Sequence, residues 1–456
     1  MRTKVLSLFV LASIVLAACA GAATPAPATE ASVPPTPVTI IREVVVTPTP
    51  GPNPEAVIQG VEPNAEITFW TFWLSPTFDD FINGTIARFQ QAYPGVTVKW
   101  EDHQGTFLDD YRNSVAAGTQ PDVANLSNGE GWVSEFATKG VLLNLDDAVP
   151  QSVKDVYFPG LWRVSLVDGK NYQFPWYAAV AVELINTQLY TQAGLKVEEF
   201  PKTVDGLPAL CKTIKAMTGT LCDIRLTVND LPSQMIYEGG VKFISDDGKK
   251  FTFDSPEAVT WLQMYVDMVK AGVVDRTALM TDQDRVALDL FTTGKAAFFQ
   301  TGPQLIREVR TNNPGLYGYL AVVPAPLGAS GAMPPTAMAI SVKKDTPFPN
   351  ASIALAQFFT NPRSMLEFSK VVSIYPSTPA SYDDPFFSAK PVAIEDSAKP
   401  IAKDIISRQT DLKPTIPSFK DVNEILLQAI QQALFNNVPA QQALTDAVTK
   451  ANALIK

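Results

Sequence analysis

The residues able to do chemistry are few. His103 is the only histidine in a chain of 456 residues, and it falls at the end of an expected strand among acidic neighbours, where a surface or structural role suits it better than catalysis. With two distant cysteines it cannot assemble the usual zinc sites. There is no G-x-x-x-x-G-K-[ST] loop to cradle a nucleotide triphosphate and no G-x-S-x-G elbow to carry a nucleophilic serine. The carboxylate pairs Asp109-Asp110, Asp146-Asp147 and Asp246-Asp247 sit where helix starts and turns are expected, so capping and solvation account for them. Glycoside hydrolysis needs two acids facing each other across a sugar, which adjacency in sequence does not provide. No catalytic residue, metal or cofactor is expected.

The elements around these residues describe an exported, tethered protein. MRTKVLSLFVLASIVLAAC opens the chain with Arg2 and Lys4, an apolar run from Val5 to Leu16, and small residues before Cys19. That is the pattern of an export signal over residues 1–19. Leu16-Ala17-Ala18-Cys19 resembles the bacterial lipobox, which implies cleavage before Cys19 and acylation of its thiol; each methylene buried in a membrane contributes about 0.8 kcal/mol. No later stretch offers the roughly 18 uninterrupted apolar residues of a membrane span. Residues 20–64 are rich in Ala, Pro and Thr, with no aromatic residue between Phe9 and Phe69. They read as an extended tether or glycosylated stalk, able to reach on the order of 100 Å at about 3.1 Å per residue. The formal net charge of −10 becomes −12 once Arg2 and Lys4 leave with the signal, which argues against nucleic acid as a partner. Cys211 and Cys222 could close a disulfide worth roughly 3 kcal/mol or remain two buried thiols, and both readings stand.

From residue 65 the pattern changes. AEITFWTF reads as a strand, Thr77 to Tyr93 as an amphipathic helix, VTVKWED as a second strand, Phe107 to Ala117 as a helix, and PDVANLS as a third strand. Further helices are expected at Val204–Met217, Pro256–Ala271, Asp284–Thr292, Asn350–Phe359 and Val422–Leu434, with strands at DIRLTV, AAFFQ, YLAVVP and MAISV. Alternating strands and helices imply an α/β fold with parallel βαβ units, and 46% hydrophobic residues over this length suggest two lobes.

These segments resemble the extracellular solute-binding proteins of ABC importers, in the carbohydrate-binding family that includes maltose-binding protein. The resemblance rests on the order of ITFWTFW, FINGTIARFQQAYPGVTVKW, AAGTQPDV, KGVLLNLDD, DGKNYQFPWYAAVAVELINTQLYTQAGL, PKTVDGLPALCKTIK and FTTGKAAFFQTGPQLI. It implies a two-lobed periplasmic-binding-protein-like fold of type II. Lobe one would hold residues 65–180 and about 325–372, and lobe two residues 181–324 and about 373–456. Chain crossings are expected in WYAAVAVEL, near VVPAPLG, and between Phe359 and Tyr375. It also implies a monomer that captures a small carbohydrate and passes it to the transmembrane subunits of an ABC permease.

Ligands of open parallel sheets bind beyond the carboxyl ends of strands. Sugars require aromatic plates for their C–H faces and planar polar groups for their hydroxyls, and an unpaired buried polar group costs about 1 to 3 kcal/mol. The loop after the first strand therefore offers Trp70, Phe72 and Trp73. SNGEGW after the third offers Ser127, Asn128 and Glu130, where the resemblance implies polar sugar ligands. Trp176 and Tyr177 stand between cleft floor and core packing; Asn229 and Asp230 follow an expected strand; and Tyr375 offers a late plate. Gln304 occupies the position of a stacking tryptophan in the family motif, and Leu126 that of another, which points to a different or smaller carbohydrate. Phe69 and Trp261 read as core, and Glu183 is open between a hinge-surface charge and a site acid. Two other functions are compatible with the residues: capture of a polyamine or peptide, with Asp230 and Glu130 meeting a cation, and an extracellular carbohydrate-active enzyme. A sensor that docks a receptor in place of a permease is a further variant.

Overall fold

A computed structural model describes residues 53–455 apart from 282 and 283, all within one compact unit that begins at Pro52. Cys19 and residues 20–52 of the expected tether lie outside the described residues.

Among the described residues, nine strands form two sheets. β1 (Glu66–Phe72), β2 (Thr97–His103), β3 (Val123–Ser127), β4 (Phe174–Ala178), β8 (Ala337–Val342) and β9 (Tyr375–Pro376) build lobe one in the order β2-β1-β3-β8-β4-β9. β5 (Val182–Asn186), β6 (Phe298–Thr301) and β7 (Leu320–Pro324) build lobe two in the order β6-β5-β7. β1, β2 and β3 are parallel, as the alternation of strands and helices predicts. The rest of the strand pairing is antiparallel, which the expectation of parallel βαβ units did not include. Its cause is connectivity: β8 returns from lobe two and runs against both β3 and β4.

The first sheet is covered on both faces. Ile67, Phe69 and Val123 pack with the helix Pro349–Thr360 in one cluster, while Trp70, Phe72, Ala124 and Leu126 pack with the helix Phe107–Ala117 in another. Residues 351–360 are buried throughout, as an apolar helix at the centre of a lobe must be. In lobe two, Ile185 and Phe298 face the helices Leu207–Thr218, Pro256–Lys270, Phe419–Phe435 and Ala440–Asn452, and Leu184 and Phe299 face the opposite side. Cys211 and Cys222 form a disulfide with Cα atoms 5.7 Å apart.

Three departures from the sequence reading have physical causes. Residues 53–64, read as the end of the tether, pack on lobe one: the Ile58 N–H donates to Tyr93 Oη at 3.1 Å. Glu62 accepts from the Asn350 and Ala351 N–H groups at 3.0 and 2.8 Å, at the positive end of a helix, and Glu55 pairs with Arg363 at 2.8 Å. DIRLTV (223–228) is not a strand. Its backbone is satisfied elsewhere: Gln234 accepts from the Thr227 N–H at 2.7 Å and donates to the Arg225 carbonyl at 3.0 Å, and the Leu226 N–H donates to the Leu279 carbonyl at 2.8 Å. Tyr375, expected with lobe two, lies in β9 beside β4.

Candidate functional site

The chain crosses between sheets in residues 179–181, from β4 to β5, and again in 325–336, from β7 to β8. A cavity of about 570 Å³ opens beside both crossings, within the range of small-molecule sites. Its floor is built from β5 and β6. The pairing sets Glu183 opposite Gln300, and Gln300 Nε2 donates to Glu183 Oε1 at 3.1 Å. The irregular segment after Cys222 runs along this edge, where Arg225 Nη2 donates to the Gln300 carbonyl at 2.7 Å and Arg225 Nε lies 3.3 Å from Asp223 Oδ2.

The walls come from two helices. Leu231–Gly239 presents Gln234, Tyr237 and Glu238; Pro256–Lys270 presents Met264, Tyr265 and Met268. Glu238 accepts from Trp261 Nε1 at 2.9 Å, Tyr265 Oη at 2.6 Å and Gln234 Nε2 at 2.9 Å. The crossing 325–336 closes one side, and Gly328 is pressed so near the Tyr237–Glu238 backbone that a Cβ there would stand 2.2 Å from the Tyr237 carbonyl oxygen. Gln409 joins the wall and donates from Nε2 to the Ala179 carbonyl at 2.8 Å.

Burial governs the acids. It raises the Glu183 carboxyl well above its ordinary range, with the nearby charge of Asp223 adding to the shift and the Gln300 hydrogen bond and Arg225 opposing it. Glu238 is raised by burial against its three donors, and Tyr237 is pushed up to about 12, mainly by burial. The arrangement combines carboxyl, amide and guanidinium groups with aromatic and thioether surface, which suits a polar solute with some apolar face. Among the described residues no group of His, Cys, Asp and Glu could hold a metal, and no helix is long and apolar enough to cross a membrane.

Residues 75–365 match the family described as bacterial extracellular solute-binding protein, more than half of the chain. The chain belongs to this family. Among relatives of this solute-binding protein, a Brucella abortus (strain 2308) chain provisionally named a binding protein is 23% identical over 81% of this chain and 88% of its own length. An arabinooligosaccharide-binding protein of Halalkalibacterium halodurans is 25% identical over 46% of this chain and 47% of its own. Solved structures agree on the two-lobed fold. The cyclic α-maltosyl-1,6-maltose binding protein of Arthrobacter globiformis superposes with a TM-score of 0.69 at 21% identity, covering 87% of this chain and 100% of that one. A Synechococcus sp. MITs9220 protein provisionally named an oligosaccharide periplasmic-binding protein gives 0.73 at 22%, covering 85% and 98%.

Of the sequence-predicted residues, Asp230 lines the cavity of this solute-binding protein, caps the helix Leu231–Gly239 and meets Lys413 Nζ at 2.5 Å. Asn229 beside it is exposed. On lobe one, Trp73 stands 63% exposed with φ of +57°. Its loop is held by Asp102, which accepts from Thr71 Oγ1 at 2.6 Å and from the Ser75 N–H at 3.1 Å. The Trp70 ring lies 4.2 Å from that of His103 at a tilt of 44°, and Phe72 packs against Phe107 and Trp132, so both are largely committed to packing. Ser127 is buried and accepts the Glu130 N–H, and Asn128 is turned inward to Gln173 at 2.6 Å. Glu130 is exposed on the loop whose Gly129 lies against the lining residue Thr336.

Two candidate plates are core. Trp176 is 0% exposed, wedged against Phe359 and Phe368, and Tyr375 is 3% exposed in the cluster between the lobes. Both lie on strands paired on their inner side, where aromatic area is worth more as packing than as a cleft surface. Tyr177 is half-buried beside Phe368. Gln304 falls in the turn Pro303–Leu305, and its side chain lies outside the described structure. Residues that the sequence reading missed supply much of the floor, its edge and the walls: Gln300, Asp223, Arg225, Gln234, Tyr237, Glu238 and Tyr265. The signal for two of them was present in DIRLTV, where charges alternate with apolar residues in a segment otherwise read as a buried strand.

Proposed function

We propose that this protein is an extracytoplasmic binding lipoprotein that captures a sugar or short oligosaccharide by lobe closure and delivers it to an ABC permease. The observation that carries the reading is the cavity of about 570 Å³ at the two chain crossings, with Glu183, Arg225, Gln300, Tyr237 and Tyr265 around it. Planar polar groups beside aromatic surface are what a saccharide requires. Contacts made from both lobes would favour the closed conformer in proportion to their differential affinity for it. Family membership supports capture over conversion, and carbohydrate-binding relatives support the cargo. Cys19 is the proposed point of lipid attachment.

Thermal shift of the purified protein against a broad set of mono- and oligosaccharides tests the cargo. Stabilisation by at least one is expected, growing with concentration as mass action requires; stabilisation by none would sink the carbohydrate reading. For the anchor, Cys19→Ala should move the protein from the membrane fraction to the soluble fraction. Retention of that variant on the membrane would remove Cys19 from the account.

A further inference from the structure

The acids lining the cavity are not answered alike. Asp230 meets Lys413 Nζ at 2.5 Å and Asp223 meets Arg225 Nε at 3.3 Å. Glu238 holds three neutral donors. Glu183 is different: it receives one amide hydrogen bond, from Gln300. Its Oε2 is buried without a partner, in a residue only 3% exposed, and among the described residues no cation pairs with it. A buried carboxyl oxygen left open is uncommon in a folded protein and marks a place where something from outside completes the set. Here the open oxygen belongs to a residue lining a cavity large enough for a small molecule.

What completes it must hydrogen-bond to that oxygen, and the charges around it decide which group does so best. The lining carries four carboxyl groups, Glu183, Asp223, Asp230 and Glu238, against the guanidinium of Arg225. Arg225 is already engaged by Asp223 and by the Gln300 carbonyl. A hydroxyl would fill the vacant hydrogen bond of Glu183 and add no charge, whereas an ammonium group fills it and also favours the ionised carboxylate that burial and Asp223 otherwise disfavour, and charge-assisted hydrogen bonds are the stronger kind. We propose that the cavity selects a solute bearing a protonated amine seated on Glu183 with Asp223 behind it, which, resting on the carbohydrate reading above, means a saccharide with a free amino group.

The test is calorimetry on the purified full chain with matched sugars that differ at one position. The set is the gluco-, galacto- and manno-configured monosaccharides, each as the 2-hydroxy, 2-amino and 2-acetamido form, together with cellobiose, the free-amine disaccharide of glucosamine, its diacetylated form, and putrescine as an amine without a sugar ring. The expected result is at least one free-amine sugar binding about tenfold or more tighter than its hydroxyl and acetamido counterparts, with that preference lost in Glu183→Gln. The glutamine keeps the side-chain size, and its melting temperature, measured alongside, should not fall. Hydroxyl sugars binding as tightly as their amines, or a preference that survives in Glu183→Gln, would overturn the inference while leaving the carbohydrate reading intact. Binding of putrescine alone, dependent on Glu183, would keep the amine site and overturn the carbohydrate reading. Binding of none would overturn the amine inference, and the broad thermal-shift set then decides the carbohydrate reading separately.

Discussion

Gly328 gives the sharpest test of how the cavity is closed. A Cβ at this position would stand 2.2 Å from the Tyr237 carbonyl oxygen and 2.3 Å from Glu238 Cα, where 3.0 Å is the practical floor and both neighbours are backbone that cannot swing aside. Gly328→Ala must therefore lift the crossing 325–336 by close to 1 Å from the helix Leu231–Gly239. Three hydrogen bonds tie the two together there: the Ala329 N–H to the Glu238 carbonyl at 2.8 Å, and the Ser330 N–H and Oγ to the Tyr237 carbonyl at 3.3 and 2.8 Å. At about 1 kcal/mol each, their loss costs about 3 kcal/mol. Spread over an unfolding entropy of roughly 2.1 cal/mol/K per residue, that lowers the melting temperature by about 3 to 4 °C. Gly318→Ala is the control, because nothing lies within 4 Å of its Cβ and its φ of −69° and ψ of −9° are ordinary helical values. It should be neutral or stabilise by up to about 1 kcal/mol. Differential scanning calorimetry of the two variants decides the matter, and equal melting temperatures would refute the claim that backbone contact at Gly328 seats this wall of the cavity.

Other perturbations read different parts of the molecule. Replacing both Cys211 and Cys222 by Ala should cost about 3 kcal/mol through the 11-residue separation that the disulfide spans; a reductant should lower the wild-type melting temperature equally and leave the double variant unmoved. Trp73→Ala should change folding stability by less than about 1 kcal/mol, because the side chain is 63% exposed and the residue sits at positive φ, while weakening solute affinity if the ring is a cleft plate; unaltered affinity in titrations would confine Trp73 to the surface. The Arg112 hydrogen bond, helped by Lys139, holds Glu135 down to about 2 from 4.5. Its contribution should therefore be complete above pH 4.5 and fade as pH falls through about 2. Discounted for the exposure of Arg112, Glu135→Gln should cost about 1 kcal/mol at pH 7, less than half of that at pH 2 and nothing well below it, as judged by urea unfolding across that range.

The helix Phe107–Ala117 and strands β1, β2 and β8 were legible because periodicity carries them. The parallel half of the first sheet followed from βαβ alternation, but the antiparallel half depends on where the chain re-enters lobe one, which no local pattern records. The site was less legible for a related reason. Asp230 could be found by its place after an expected strand, whereas Glu183, Gln300, Arg225 and Tyr265 meet from four separate segments. Glu183 and Gln300 are neighbours only because β5 and β6 pair across more than 110 positions of chain. Trp176 stayed open for the opposite reason, since an aromatic residue beside a crossing looks the same in sequence whether it faces the cleft or the core.

The clamp formed by Glu55, Ile58 and Glu62 has a mechanical meaning. These residues fasten the start of the described chain to lobe one, at the head of the helix Pro349–Thr360. Any pull transmitted along the polypeptide ahead of them is borne by that lobe. It can reach the second sheet only after passing through the body of the first and across the crossings. Under the proposed anchorage at Cys19, one jaw would be moored and the other left to swing, so a leash of any length would hold the molecule in place without adding drag to the hinge.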